Sequence, residues 1–249
     1  MPGTALTTCV GLIIPSSNRM VEQDMVRHFP PGVHAHVMRL RMTGPHHVPL
    51  AQLLPRVEEA THTLMDAKCD VVVFHCTAAS MEASLDGEAQ ALAAVARAGA
   101  PHATTMATAI RRAFDALNAR RIVLVTPYNA RTTDDEAAFL RSAGYDVLHA
   151  IGHDLGGSDA FCAAPAQFWL DRTVAAARRD ADAYLVSCAN ISVFGVIDEL
   201  ERRLGRPVVT SNQAVLWDAL SRLGWRDTSG FPGRLFATLA EPARMVQGA

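Results

Sequence analysis

The chain has 249 residues, 49% hydrophobic and 19% charged, with a formal net charge of −2. It can bury a substantial core as one large or two modest globular units, which excludes a disordered chain. Near-neutral charge and 6% aromatic content give no basis for binding nucleic acid or an anionic membrane surface.

In chain order, apolar and β-branched runs predict strands over residues 7–15, 33–42, 70–76, 101–105, 121–127, 145–152, 182–188 and 206–211. Between them, segments such as AQLLPRVEEATHTLMDA, ATAIRRAFDALNA and VFGVIDELERRLG carry helical spacing. The last of these stops at Gly205, just before Pro207. Short apolar strands alternating with helices imply an α/β fold of parallel sheets covered on both faces. The opening MPGTALTTCVGLIIP lacks the basic start and long apolar run of a secretory leader, and no stretch reaches the ~18 apolar residues of a membrane span. A soluble, cytoplasmic protein is the expectation.

The two halves repeat. Gly11–Pro15 matches Val123–Pro127, and Asp70–Cys76 matches Asp182–Cys188, both at an offset of 112 residues. GAPHATTMATA and GRPVVTSNQA form a third pair at a slightly shorter offset. Two pseudo-symmetric units are therefore expected, one from residues 1–98 plus 206–249 and the other from 99–205. Ligands of such sheets bind beyond the carboxyl ends of the strands, in this case in a cleft between the units.

Five cysteines, an odd and scattered set without CxxC, support neither a disulfide framework nor a zinc knuckle. Cys76 and Cys188 are the informative ones, because the repeat puts both at the end of a strand before a polar turn. Taken singly, either is as easily a small core residue as a reactive thiol. As a pair they can flank one small substrate, with turn amides favouring thiolate. Cys9 and Cys69 read as packing residues and Cys162 as a loop residue. Lys68, the only lysine, precedes a strand at the wrong end for an active site, which argues against pyridoxal phosphate.

PSSN (15–18) follows the first strand, and Ser17 and Asn18 there are either helix caps or donors to a carboxylate. Tyr128 stands at the matching site, as a phenol donor or a packing lid. Thr77, Ala78, Ala189 and Asn190 follow the cysteines and expose backbone N–H groups suited to carboxylates and developing oxyanions. His34, His36, His46 and His47 lack ligand spacing, so no metal site is expected. His75 precedes Cys76 but should face the other side of its strand. GHDLGGSD (152–159) reads as a mobile loop and possible lid, and no nucleotide fingerprint or GxSxG elbow occurs.

Together VGLIIPSSNRMVE, VVVFHCTAAS, VLVTPYNARTTD and the segment from YLVSCANIS to SNQAVLWDAL resemble the aspartate/glutamate racemase superfamily, in its branch of maleate cis–trans isomerases and arylmalonate decarboxylases. The resemblance runs from about residue 8 to residue 224 and implies two four-stranded parallel domains around a cofactor-free site. It implies catalytic roles for Cys76 and Cys188 and maps substrate-binding asparagine and tyrosine onto Asn18 and Tyr128. Arylmalonate decarboxylase keeps only the second cysteine. Ser158 stands near the position where maleate isomerases carry a further substrate-binding asparagine.

The expected activity is cofactor-independent cis–trans isomerisation of a small dicarboxylate. Two-cysteine racemisation of an amino acid or hydantoin, a decarboxylase-like reaction and simple carboxylate binding are the alternatives. A homodimer is expected from similar proteins.

Overall fold

The computed structural model describes residues 8–42 and 48–240, so His46 and His47 lie outside the described residues. Eight strands form: β1 (Thr8–Pro15), β2 (Val33–Leu40), β3 (Val71–Phe74), β4 (His102–Thr105), β5 (Arg121–Thr126), β6 (Asp146–Gly152), β7 (Ala183–Val186) and β8 (Val208–Thr210). All pair in parallel, in two four-stranded sheets ordered β2-β1-β3-β4 and β6-β5-β7-β8. The second sheet repeats the first strand for strand, the arrangement the 112-residue offset anticipates.

The helices are α1 (Val21–Asp24), α2 (Leu50–Asp66), α3 (Thr77–Met81), α4 (Ser84–Arg97), α5 (Met106–Ala116), α6 (Ala130–Ser142), α7 (Ser158–Ala163), α8 (Ala166–Ala175), α9 (Ile197–Leu204), α10 (Ser211–Arg222) and α11 (Arg234–Ala237). Capping residues fix several of their ends. Thr105 caps α5, Asn129 caps α6, and Thr210 with Gln213 forms a full capping box on α10. Gly205 ends α9 at φ 67°, a left-handed conformation that favours glycine.

Strand alternation sorts the core into three layers. Val10, Leu12 and Ile14 of β1, with Val71 and Val73 of β3, face a middle layer shared with Ile122, Leu124, Ala183 and Leu185 of the second sheet. The interleaved Ile13, Val72 and Phe74 face α2 and α4 on one outer side. Val123, Val125 and Val186 face Trp169, Leu170 and Leu200 on the other. The middle layer is filled by α5 and α10, which pack on each other.

The sheets divide the chain differently from the expected partition. β4 lies within residues 99–205, yet it pairs with β3 and completes the first sheet. β8 lies within 206–249, yet it pairs with β7 and completes the second. β1 to β4 make up the first sheet and β5 to β8 the second, so the break between the sheets falls between β4 and β5.

One buried acid ties this junction. Asp218 on α10, fully buried, accepts from Thr104 Oγ1 on β4 (2.8 Å) and Arg222 Nε (2.9 Å), and pairs with Arg112 of α5. Removing it strands both guanidiniums and one hydroxyl at the interface of the units. Asp218→Ala is expected to cost about 3 kcal/mol of unfolding free energy in urea denaturation.

Candidate active site

Loops at the carboxyl ends of β1, β3, β5, β6 and β7 enclose a cavity of about 410 Å³. All ten residues singled out from sequence line it: Ser17, Asn18, Cys76, Thr77, Ala78, Tyr128, Ser158, Cys188, Ala189 and Asn190. Met42, Thr132, Asp154 and Phe161 line it as well.

Neither cysteine ends its strand. β3 stops at Phe74 and β7 at Val186, and each thiol comes two residues later, where its chain leaves the ladder. Cys76, partly exposed, is the N-cap of α3 at φ −144°, and the Ala79 backbone N–H points at its sulfur. Cys188 is buried at φ 151°, a conformation that L residues rarely adopt. Its sulfur accepts from the Asn190 N–H at 3.3 Å and from the Tyr128 hydroxyl.

The polar side chains anticipated as donors serve the framework too. Asn18 Oδ1 caps the turn into α1, accepting from the N–H groups of Met20 (2.9 Å) and Val21 (3.0 Å). Its Nδ2 gives one hydrogen to the Ala189 carbonyl at 3.0 Å, across to the other unit, which leaves one for a ligand. The Thr77 hydroxyl donates to Ser211 Oγ at 3.2 Å, and the Cys188 N–H donates to the same oxygen at 3.0 Å. Asn190 spends its N–H on Cys188 and its side-chain oxygen on the Arg19 N–H at 2.9 Å, so its amide favours a thiolate rather than a substrate oxyanion.

Three further expectations resolve locally. His75 is buried with Nε2 2.9 Å from Asn212 Oδ1, on the face away from the cavity, so it forms no dyad with Cys76. Cys162 lies in α7 rather than a loop, and its thiol donates to Asn190 Oδ1 at 3.1 Å. The glycine-rich stretch is anchored at its start, because His153, Asp154 and Leu155 donate to the carbonyls of Thr126, Tyr128 and Pro127. A Cβ at Gly152 would stand 2.5 Å from the Tyr128 carbonyl oxygen, so glycine there lets the loop close over the tyrosine.

The arylmalonate decarboxylase family model matches residues 10–236. The chain belongs to this family. It is 30% identical to arylmalonate decarboxylase of Bordetella bronchiseptica over 93% of this chain and 98% of that protein. It is 26% identical to maleate isomerase of Nocardia farcinica over 86% and 89% of the two chains. In fold it is similar to a solved Nocardia farcinica maleate cis–trans isomerase mutant with a covalently bound succinylcysteine intermediate, at TM-score 0.85, 23% identity and coverage of 92% and 98%.

This family member's site is electrically lean. No lysine or arginine lines the cavity among the described residues; Arg19 reaches across its mouth to the Ser158 carbonyl (3.2 Å) and Asp159 (2.7 Å) on exposed surface. No cluster of three metal-ligating side chains occurs among the described residues, and none of their helices is long and apolar enough to cross a membrane. Burial therefore dominates. It pushes the Cys76 thiol up to about 11 against the pull of the Ala79 N–H, and Cys188 up to about 12 against Tyr128 and the Asn190 N–H. Burial also raises the Tyr128 phenol well above its ordinary range.

Sequence reasoning missed Ser211, Asn212 and Glu136. Ser211 and Asn212 sit in the repeat partner of a plain helix start, and Glu136 follows two exposed aspartates on a helix whose other acidic residues face solvent. A raised thiol value means that thiolate accumulates only as the pH climbs. Alkylation of Cys76 by iodoacetamide, followed by peptide mass spectrometry, is expected to keep accelerating beyond pH 9.0, the ordinary thiol value, and to outpace Cys188.

Proposed function

We propose that the protein is a cofactor-independent cis–trans isomerase of a small dicarboxylate, with maleate as the model substrate. The observation that carries the reading is the pair of thiols on one cavity, each with a backbone N–H aimed at its sulfur. Similarity to maleate isomerase, and to a relative solved with a succinylcysteine adduct, supports the same chemistry. The two cysteines separate this chain from a decarboxylase that works with one.

Cys76 is the more exposed thiol with the lower value, so it is assigned as nucleophile. Its thiolate adds to one alkene carbon, forming a C–S bond and pushing the π electrons into the far carboxylate as an enediolate. The remaining Asn18 N–H, the amides of Thr77 and Ala78, and the Tyr128 hydroxyl once it turns from the Cys188 sulfur to the substrate, stabilise that charge, each such donor being worth ~3 kcal/mol of barrier. Cys188 gives its proton to the neighbouring carbon. The former double bond, now single, rotates. Cys188 then takes the proton back, the C–S bond breaks to return the Cys76 thiolate, and the trans product leaves with Cys188 protonated again. Ser158 offers the second carboxylate a shorter donor than the asparagine that maleate isomerases carry there, which counts against maleate itself as the natural substrate.

A second reading uses the same thiols for racemisation, one removing an α-proton and the other returning one. Asp154 on the cavity wall favours it, since a carboxylate suits an α-ammonium group. Fumarate formation from maleate, read by ultraviolet absorbance or NMR, is the expected result. Cys76→Ser and Cys188→Ser are each expected to lower turnover by about 10³-fold or more, and Tyr128→Phe by about 10²-fold. No fumarate together with α-proton exchange of an amino acid in D₂O would reject isomerisation in favour of racemisation.

A further inference from the structure

Beside the two thiols lies a third titratable group that the reaction above does not use. Glu136, on α6, is 1% exposed. Its Oε2 accepts from the hydroxyl of Ser187, the residue before Cys188, at 2.7 Å. Its Oε1 is buried with no partner among the described residues.

Glu136 also lines a second cavity, of about 530 Å³, that shares Ala78, Asn129 and Thr132 with the first. Exposed Ser84, Arg131 and Asp135 line it too, so it reaches solvent.

An ionised carboxylate so placed is poorly compensated. One hydroxyl serves it and, among the described residues, no cation pairs with it, whereas a neutral carboxyl tolerates the site. Titratable or charged groups on the elements around α6 are Arg131, Asp134, Asp135 and Arg141 on α6 itself, Cys76 before α3, Glu82 before α4, Asp86, Glu88 and Arg97 on α4, Asp146 and His149 on β6, and Tyr128 and Cys188 on the second unit's loops. Of these, Cys76, Cys188 and Tyr128 feel the Glu136 charge directly, and it disfavours the anion of each.

We propose that Glu136 is a positioning residue for the thiol pair: while its carboxyl holds a proton either thiol ionises more readily, and once it has lost that proton its charge moves the ionisation of both thiols to higher pH. The proton released by Cys76 passes to solvent, and Glu136 keeps its own. Burial pushes the Glu136 carboxyl up to about 8, with the Ser187 hydroxyl opposing, so the change falls just above neutral pH. The inference rests on the two-thiol reading but on no particular substrate.

The test is the pH dependence of iodoacetamide alkylation at Cys76 and Cys188 in the intact protein, which needs no turnover. In the wild type, the rise with pH should pause near 8 as Glu136 ionises, then resume. Glu136→Gln keeps an acceptor for Ser187 without the charge; it should abolish the pause and bring alkylation in about one pH unit earlier. Ser187→Ala, which removes the hydrogen bond favouring the charged form, should move the pause to higher pH and keeps the test open if Glu136→Gln fails to fold. Variant profiles that superpose on the wild type would overturn the proposal, even if maleate were isomerised. The predicted shifts would uphold it even if maleate were inert.

Discussion

The oxygen of Ser211 joins the two halves of the site. It accepts the backbone N–H of Cys188 and the hydroxyl of Thr77, the residue after Cys76, so one atom sets the spacing of both thiol-bearing loops. Ser211 can do this because it is the first residue of α10, fully buried, on a helix held by a capping box at its start and by Asp218 further along. Asn212 next to it donates to Asp24 at 3.1 Å and to the Ala189 carbonyl at 3.3 Å, extending the tie to the loop after β1. The geometry of the cavity therefore depends on how α10 seats against α5, in the middle of the core rather than at the surface.

That seating produces a site ruled by burial rather than by charge. With no lysine or arginine on the cavity wall among the described residues, anionic states there are supported by dipoles: amides at Ala79 and Asn190, the Tyr128 hydroxyl, and the spare hydrogen of Asn18. Such an environment holds thiols as thiols and carboxyls as acids, as Cys76, Cys188 and Glu136 all show in the same direction. Fixed dipoles reorganise little when charge moves from sulfur to substrate oxygen, which suits a reaction whose charge travels without changing in total.

The central strands were legible because β1, β3, β5 and β7 are short, buried apolar runs, and the repeat was legible because β1 and β3 recur as β5 and β7. The loops that carry the cavity follow from that register, which is why Asn18, Cys76, Tyr128 and Cys188 can be picked out along the chain. The partition between units was not legible. β4 and β8 are four and three residues long, and nothing local says which sheet edge each extends. Nor was the network behind the cavity legible. Thr77, Asn190 and Ser211 show their acceptors and donors only once 134 residues of separation between Thr77 and Ser211 have closed.

The duplication also explains why the two thiols differ. Thr105 and Thr210 cap equivalent helices, but Met106 follows the first and Ser211 the second. A thioether cannot anchor a backbone N–H as a hydroxyl can, so only the second helix is able to hold Cys188 in its strained conformation. Held at φ 151°, Cys188 turns into the interior toward Tyr128 and the Asn190 N–H, while Cys76 stays in an ordinary extended conformation at a helix start, partly open to the cavity. A symmetric pair would be interchangeable. Here the deeper thiol holds its proton more tightly than the shallower one, a difference that follows one serine in place of one methionine.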